Sequence, residues 1–254
     1  MTQDERLISM QSWLLEQKKI TLSEVCERYG ISRDSARRDL VKLTQQPGVQ
    51  RVRGGAICVP VSPDSKAYHQ KSISQVKLDI GRVAASLVEP HDYILMDTGT
   101  TLSAMASYLT PPLTVVTNAV DCLTSLSQKQ GIDLHFVGGK LNGFHRAMLG
   151  ATAIQQLSQY RLNKAFIGVC ALSEHGLSTT SEEEASMKQA MIEQAQLVVL
   201  VCDSSKFGQQ HFFKVCELEK VDIIVTDQRP SSPLRDIIES NDIHLIVTNK
   251  PKES

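Results

Sequence analysis

The hydrophobic positions of the first 57 residues recur at helical spacing in three short stretches, which predicts three helices. The first helix includes residues 7–15, the second spans 22–29, and the third spans 32–43. Gly30 supplies a turn between the second and third helices, as in helix-turn-helix units. Residues 49–56 then alternate between apolar and polar side chains and reach two glycines. This pattern predicts a small β-hairpin, or wing, beside the helices.

The pattern changes after residue 76, where short continuous runs of Val, Ile and Leu alternate with longer helix-like stretches. Continuous apolar strands between helices predict a parallel sheet that is covered by helices on both faces. The predicted strands are residues 93–96, 113–116, 134–137, 165–169, 197–202, 221–226 and 244–247. The predicted helices are residues 78–88, 151–160, 182–195 and 233–240, with one more that follows residue 101 and ends at Leu109.

Prolines and serines break the periodicity between these two parts, over residues 58–75. At 254 residues the chain is long enough to hold one small domain and one of ordinary size. We therefore expect an α+β winged helix-turn-helix domain over residues 1–57 and a linker over residues 58–75. An α/β domain with a mainly parallel sheet is expected over residues 76–254.

The third predicted helix is short, capped and basic. Ser32 is a good N-cap, because its hydroxyl can accept a hydrogen bond from a backbone N–H of the first turn. Arg33, Arg37 and Arg38 fall outside the apolar stripe and are available to a partner. A basic helix that follows a tight turn suits the major groove of DNA. A small three-helix domain with a solvated arginine face is the alternative interpretation.

The distribution of charge favours DNA over that alternative. Residues 1–57 hold 10 Lys and Arg against 7 Asp and Glu, whereas the remaining 197 residues hold 17 against 21. The net charge of −1 for the whole chain is therefore the sum of a basic N-terminal part and an acidic remainder. Arginine and serine bind phosphates, and arginine also binds guanine. The residues predicted to contact double-stranded DNA are Ser32, Arg33, Ser35, Arg37, Arg38, Arg51 and Arg53.

Polar residues of the second part gather where the predicted strands end, which is where open α/β sheets bind ligands. Residues 98–101 lie between a strand and a helix, where backbone N–H groups and the helix dipole favour an anion such as phosphate. Glu184 and Lys188 share one helix face, so they either reach a ligand or pair with each other. Turn chemistry explains any one of these clusters taken alone. The predicted ligand-binding residues are Asp97, Thr98, Gly99, Thr100, Thr101, Asn118, Gly139, Lys140, Gly168, Thr179, Glu184, Lys188 and Lys206.

The cysteines and the start of the chain indicate a reducing compartment. The six cysteines form no Cys-x-x-Cys pair and have no cluster of histidines beside them, which favours reduced thiols over disulfides or zinc. No segment approaches the ~20 apolar residues that a membrane helix needs. The first residues lack the basic and apolar regions of a secretory signal. We therefore expect a cytoplasmic protein with no membrane partner, no metal and no cofactor.

Arg-Arg-Asp-Leu at residues 37–40 and Arg-Val-Arg-Gly-Gly-Ala at 51–56 together resemble the N-terminal signature of the DeoR family of bacterial transcriptional regulators. Ser35 stands where the family more often has threonine, and it retains the hydroxyl. Further motifs resemble those of the DeoR sensor domain; they lie at residues 97–101, 117–118, 138–139, 176–188 and 203–207. The resemblance implies a sensor fold similar to ribose-5-phosphate isomerase and glucosamine-6-phosphate deaminase, and a phosphorylated sugar as effector.

These patterns lead to a hypothesis of a DNA-binding regulator that represses a carbohydrate-utilisation operon and responds to a phosphorylated sugar. We expect a homo-oligomer, a dimer or tetramer, because two-fold symmetry matches paired half-sites on DNA. An activator of the same family stays open. An isomerase-like or deaminase-like enzyme is the alternative, with Asp97, Glu184 or Asp203 as base and Lys188 or Lys206 stabilising an enediolate. The sequence contains no arrangement that requires turnover, so we predict no catalytic residue.

Overall fold

The computed structural model describes residues 3–17, 19–44, 49–52, 54–58 and 73–248. The chain divides into two compact units, Met1–Lys66 and Ala67–Ser254. Most of the predicted linker lies outside the described residues, so the predicted domain boundaries stay a prediction.

The N-terminal unit combines three helices with a three-stranded antiparallel sheet. In chain order its elements are α1 (Gln3–Gln17), β1 (Lys19–Thr21), α2 (Leu22–Tyr29), α3 (Arg33–Leu43), β2 (Val49–Val52) and β3 (Gly55–Cys58). The strand order is β1-β3-β2, so the predicted hairpin of β2 and β3 gains a third strand. The predicted winged helix-turn-helix fold is confirmed. Strand β1 was not predicted, because three residues are too few to show an alternating pattern.

Local signals set the bounds of α2 and α3. Thr21 and Glu24 form a capping box at the start of α2, and Gly30 ends the helix with a φ of 62°, in the left-handed region that glycine favours. Ser32 caps α3 by accepting a hydrogen bond from the backbone N–H of Ser35, at 3.2 Å. Only three residues, Gly30, Ile31 and Ser32, therefore connect the two helices.

The second glycine of the wing is required by a close approach of two strands. A Cβ atom at Gly55 would lie 2.1 Å from the carbonyl oxygen of Ile20 and 2.9 Å from the Cα of Thr21. Such distances are far inside van der Waals contact, so a side chain would force β3 away from β1. The second glycine of the Gly-Gly-Ala signature thus reflects the packing of β3 on β1.

The C-terminal unit is built around one large sheet. In chain order its elements are α4 (Gln75–Ala85), β4 (Tyr93–Met96), α5 (Thr100–Tyr108), β5 (Leu113–Thr117), α6 (Val120–Leu126), β6 (Ile132–Phe136), β7 (Lys140–Asn142), β8 (Ala147–Leu149), α7 (Ala151–Leu157), β9 (Leu162–Ile167), β10 (Ala171–Ser173), β11 (Gly176–Thr179), α8 (Glu182–Glu193), β12 (Ala195–Val201), β13 (Phe213–Cys216), β14 (Ile223–Thr226), α9 (Leu234–Ser240) and β15 (His244–Val247). The large sheet has the strand order β15-β14-β12-β9-β4-β5-β6, and every pair in it is parallel. The predicted α/β fold with a mainly parallel sheet is confirmed.

Helices cover both faces of this sheet, and its central strands supply side chains to both. In β4, Ile94 and Met96 pack in the core under α4, α5 and α6, whereas Leu95 between them packs in the core under α7, α8 and α9. In β12, Val199 and Leu200 divide between the two cores in the same way. Burial on both faces explains why these strands appear in the sequence as continuous apolar runs.

Several short elements of the C-terminal unit were not predicted. They are α6, the hairpin of β7 and β8, and a small antiparallel sheet of β10, β11 and β13. The strands among them have three or four residues, and α6 has seven, so none spans enough residues to show a period. Helix α4 also begins three residues earlier than predicted, because Ser74 caps it through the backbone N–H of Lys77.

Candidate functional sites

The face of α3 that carries arginines is exposed, and the opposite face is buried. Arg33, Arg37 and Arg38 are exposed, and Ser35 is half-buried. The buried residues of α3 are Ala36, Asp39, Leu40 and Leu43. The arginines predicted to contact DNA therefore lie together on the accessible side of one helix.

The structure describes only part of the wing that is predicted to contact DNA. The backbone of Arg51 lies in β2 and is paired with Ala56 of β3. The side chain of Arg51 and the whole of Arg53 lie outside the described residues. Their contact with DNA stays a prediction.

The second site lies where the strand order of the large sheet reverses. Strands β5 and β6 continue from β4 on one side, and β12, β14 and β15 continue from β9 on the other, so the reversal falls between β4 and β9. Ligands of open α/β sheets bind in the crevice outside the carboxyl ends of the strands at such a point. Asp97 directly follows β4, and Gly168 directly follows β9. Both predicted residues therefore lie at the place where the topology favours a ligand.

Asp97 and Gly168 are in direct contact. The backbone N–H of Gly168 donates to Oδ2 of Asp97 at 3.0 Å. A Cβ at Gly168 would lie 3.0 Å from the carbonyl oxygen of Thr98 and 3.2 Å from the side chain of Leu102. Glycine therefore allows the two strand ends to approach each other this closely.

Lys188 joins the two strand ends from helix α8. Its Nζ donates to Oδ2 of Asp97 and, at 3.0 Å, to the carbonyl oxygen of Gly168. The Nζ also lies 3.5 Å from Oε1 of Glu184, one turn earlier in the helix. The side chains of Lys188 and Glu184 are 2% and 1% exposed. Of the two sequence alternatives, pairing between Glu184 and Lys188 is thus observed, and the pair is buried.

Burial and charge act against each other in this cluster. Burial raises the pKa of the Asp97 carboxyl, and the neighbouring ammonium of Lys188 opposes that rise. For Lys188, burial disfavours the ammonium, but the negative charges of Asp97 and Glu184 outweigh it and raise the pKa of Lys188 above its usual value. The lysine therefore stays charged, and each of its three N–H groups has an acceptor within reach.

Glu184 is surrounded by polar groups from three other segments of the chain. Thr179, at the end of β11, donates to Oε2 of Glu184 through its hydroxyl. The Sγ of Cys170 lies 3.8 Å from the same oxygen, and Nδ1 of His145 lies 3.7 Å from it. The five predicted residues Asp97, Gly168, Thr179, Glu184 and Lys188 thus form one continuous buried cluster, to which Cys170 and His145 were not assigned from the sequence.

Helix α5 begins beside this cluster. Gly99 precedes the helix with a φ of 139°, and its N-terminus has no side-chain cap. The hydroxyl of Thr98 donates to the carbonyl oxygen of His145 at 2.7 Å, which ties the start of α5 to the loop between β7 and β8. Residues 98–101 therefore present the uncapped helix terminus at the switch point, and its backbone N–H groups can meet an anion there.

The remaining predicted residues differ in their surroundings. Asn118 is buried and donates to the carbonyl oxygen of Met148 at 2.9 Å, while its Oδ1 has no hydrogen-bond partner among the described residues. Gly139 directly precedes β7 with a φ of 146°. Lys140 is exposed and lies 3.6 Å from Glu183, so it forms a surface ion pair. Lys206 is half-buried in a 3₁₀ turn after β12.

The cysteines with described side chains, Cys26, Cys122, Cys170, Cys202 and Cys216, form no disulfide with one another. Across the described residues, no group of three His, Cys, Asp or Glu side chains is placed to hold a metal ion. Within the same part of the chain, every helix is too short or too polar to cross a membrane.

We predict that the protein loses stability above about pH 9 because of these thiols. Burial, together with the charges of Asp97 and Asp121, raises the pKa of Cys122 to about 12, and burial together with Glu217 raises the pKa of Cys216 to about 11. In the unfolded chain these thiols ionise near 9.0, so the unfolded state binds fewer protons between pH 9 and 11. The free energy of unfolding should fall by about 1.4 kcal/mol per pH unit for each such thiol.

Urea unfolding at pH 8, 9, 10 and 10.5 measures this slope. The variant Cys216→Ala should lose less stability per pH unit than the wild type, by about the contribution of one thiol. An equal slope in both proteins would show that the Cys216 thiol does not contribute to it.

A winged helix-turn-helix unit with exposed arginines, followed by an α/β unit with a polar cluster at its switch point, defines a DNA-binding transcriptional regulator with a sensor domain. The sequence matches the DeoR-like helix-turn-helix domain over residues 6–60 and the DeoR C terminal sensor domain over residues 73–228. The chain belongs to the DeoR family of transcriptional regulators.

Two curated relatives that cover most of the chain support the same assignment. The HTH-type transcriptional repressor GlcR of Bacillus subtilis is 39% identical, with 98% of each chain covered. The putative aga operon transcriptional repressor of Escherichia coli O157:H7 is 30% identical, with 85% of this chain and 82% of the relative covered. The chain is thus similar to proteins described as repressors in two organisms.

Solved structures that resemble the chain are more distant. The probable sor operon regulator from Shigella flexneri has a TM-score of 0.43 at 14% identity and covers 68% of this chain and 91% of its own. The ribose 5-phosphate isomerase A of Methanocaldococcus jannaschii has a TM-score of 0.39 at 18% identity, with 54% and 55% covered.

Proposed function

We propose that this regulator is a cytoplasmic repressor whose affinity for its operator changes when a phosphorylated sugar binds at the switch point between β4 and β9. The observation that carries the proposal is the convergence of an uncapped helix terminus with a buried cluster of carboxylates and an ammonium at this point. An effector can shift an equilibrium between two states only through different affinities for them. The proposed site must therefore bind the effector with different affinities in the DNA-bound and DNA-free states.

The chemistry of a sugar phosphate suits the groups at this point. The N-terminus of α5, over residues 98–101, provides backbone N–H groups and a helix dipole for the phosphate. The buried Oδ1 of Asn118, at the end of the next strand, provides an acceptor for a sugar hydroxyl. The remaining proposed contacts are those of Asp97, Gly139, Lys140, Gly168, Thr179, Glu184, Lys188 and Lys206.

The proposed DNA contacts are those of Ser32, Arg33, Ser35, Arg37, Arg38, Arg51 and Arg53. The exposure of the three arginines of α3 supports them. We propose further that the chain acts as a homo-oligomer, a dimer or tetramer, since two copies of one recognition helix read a pair of half-sites.

A screen of sugar phosphates tests the effector proposal. The melting temperature of the protein is measured with pentose, hexose and amino-sugar phosphates, with the matching free sugars, and with inorganic phosphate. One or more sugar phosphates should raise the melting temperature, since a ligand of the native state stabilises it. The same compounds should change binding to a duplex that the protein selects from a random-sequence pool.

A pair of threonine variants distinguishes the proposed site from other surfaces. Thr100→Val, at the start of α5, should weaken the response to the effector, whereas Thr110→Val, on the exposed segment after α5, should not. Equal responses in both variants would place the ligand elsewhere. No response to any sugar phosphate, with DNA binding intact, would overturn the effector proposal and leave the regulator assignment in place.

We propose binding without turnover. All three N–H groups of Lys188 face protein acceptors in the cluster, an arrangement that holds the ammonium in place rather than presenting it to a reacting carbon. Incubation of the purified protein with the same sugar phosphates should leave them unchanged. Conversion of any of them to an isomer, or release of ammonia, would support the isomerase or deaminase alternative.

A further inference from the structure

Helix α3 is held against α1 by a small set of polar contacts, which we call the clasp and which consists of Gln3, Arg6, Asp39 and Lys42. Asp39 lies on the buried side of α3 and is 0% exposed. Its Oδ2 accepts from Nε of Arg6 at 3.0 Å, and its Oδ1 accepts from Nε2 of Gln3 at 2.6 Å. Both oxygens of one buried carboxylate are therefore occupied by side chains of α1.

Gln3 extends the clasp along α3. Its Oε1 accepts from Nζ of Lys42 at 2.7 Å, while its Nε2 donates to Asp39. Asp39 and Lys42 are three residues apart, so they lie on the same face of the helix, nearly one turn from each other. The side-chain amide of Gln3 thus contacts α3 at two positions along the helix axis.

These contacts constrain α3 in a way that its apolar side chains do not. Leu40 and Leu43 are buried against the same core, but the hydrophobic effect has no direction and tolerates small rotations and shifts. Hydrogen bonds weaken steeply as their angle departs from linear. Two donors aimed at the two oxygens of Asp39 therefore define the rotation of α3 about its axis and its position along that axis.

That rotation determines where the arginines point. Asp39 follows Arg37 and Arg38 directly, and successive side chains on a helix are separated by about 100°. A rotation that moves the Asp39 carboxylate out of the clasp moves the guanidinium groups of both arginines by the same angle. Contacts with base edges depend on such angles, whereas contacts with phosphates accept a wider range.

We propose that Asp39, held by Arg6 and Gln3, is a positioning residue that orients α3 for sequence-specific reading of DNA. Its main contribution is to the discrimination between DNA sequences rather than to stability. Replacing a buried ion pair by apolar side chains of similar volume is often neutral or stabilising, whereas removing one partner is costly. The ion pair of the clasp, Arg6 and Asp39, can therefore be replaced as a pair with little loss of stability.

The double variant Arg6→Met/Asp39→Leu tests the proposal, with both single variants beside it. The DNA probes are a duplex that the wild type selects from a random-sequence pool and a shuffled duplex of the same length and composition. The single variants should lose stability, and the double variant should recover most of it. The ratio of affinities for the two duplexes should nevertheless fall by roughly tenfold or more in the double variant, the range that a disturbed base contact gives.

Binding to the shuffled duplex separates orientation from damage to the surface. Since the arginines remain, its affinity and salt dependence should stay close to those of the wild type. A matched double variant, Arg82→Met/Asp79→Leu, removes an ion pair of α4 between an exposed arginine and a half-buried aspartate, and it should leave the affinity ratio unchanged. Recovery of the full affinity ratio together with stability in Arg6→Met/Asp39→Leu would overturn the proposal.

A second variant tests the same proposal if the double variant does not fold. Gln3→Leu leaves the ion pair between Arg6 and Asp39 and removes the bridge to Lys42. The affinity ratio should then fall by at least about threefold, with an unchanged melting temperature and unchanged binding to the shuffled duplex. An unchanged affinity ratio in this variant would overturn the proposal.

Discussion

Replacing Lys188 with methionine is expected to destabilise the C-terminal unit by about 3–5 kcal/mol, the usual cost of breaking a buried ion pair from one side. The substitution leaves the Asp97 carboxylate buried, with hydrogen bonds from the backbone N–H groups of Gly168 and Thr98 but without its ammonium. It also removes the positive charge that Glu184 faces at 3.5 Å. Two carboxylates at the centre of the unit would then lack their counter-charge, and methionine offers no compensation beyond its apolar stem.

Urea unfolding followed by circular dichroism measures this loss. Lys140→Met is a matched control, because the same substitution then removes an ion pair with Glu183 whose lysine is 79% exposed. Exposed ion pairs contribute about 0–1 kcal/mol, so the control should stay near the wild type. A loss in Lys188→Met no larger than in Lys140→Met would contradict the role of Lys188 as the counter-charge of the cluster.

A further variant identifies the source of the loss. Lys188→Met/Asp97→Asn removes the charge of the carboxylate as well as that of the ammonium, while the asparagine oxygen can still accept from Gly168. If uncompensated charge causes the destabilisation, this double variant should be more stable than Lys188→Met alone. Equal or lower stability would point to lost hydrogen bonds and packing instead.

The features that the sequence predicts well depend on residues that are close together in the chain. The cap of α3 is predicted because Ser32 and the N–H that it accepts belong to the same turn. The central strands of the large sheet are predicted because burial on both faces makes each of them a continuous apolar run. The location of a polar site follows from these strands, since the carboxyl ends of parallel strands share one edge.

The geometry of the site depends on long-range contacts that leave no local pattern. Asp97 and Lys188 are 91 residues apart, and only the pairing of β4 with β9 and the packing of α8 bring them together. His145 belongs to an unpredicted hairpin, and nothing about its neighbours in the chain marks it as a buried group near Glu184. For both residues, the amino-acid type is compatible with a solvated surface position, and only the fold excludes it.

Asp39 shows the same limit in the N-terminal unit. It follows two exposed arginines, and its acidic character suggests a third exposed position on the helix. Asp39 is buried instead, because Arg6, 33 positions earlier, donates to its carboxylate through Nε at 3.0 Å. A fragment of sequence that includes Arg-Arg-Asp-Leu thus contains both the proposed DNA contacts and an internal anchor, and the spacing alone does not separate them.

Replacing Arg37 and Arg38 together with alanine is expected to weaken binding to the selected duplex, by about 1–3 kcal/mol for each arginine that contacts a base. Both side chains are exposed on α3, so their truncation leaves the buried face and its contacts in place. The melting temperature should therefore change little. Arg82→Ala, on the exposed side of α4, removes an arginine of the C-terminal unit and should retain full DNA affinity.

The salt dependence of binding shows what each arginine contacts. An arginine that neutralises a phosphate releases a counterion, so the slope of log affinity against log salt should decrease by about one when it is removed, for every DNA sequence alike. An arginine that contacts a guanine edge should instead relax the preference at one base pair. Binding measured for single variants at several salt concentrations, on the selected duplex and on single-base changes of it, separates the two results. Unchanged affinity of the double variant at every salt concentration would exclude the exposed face of α3 from the DNA interface.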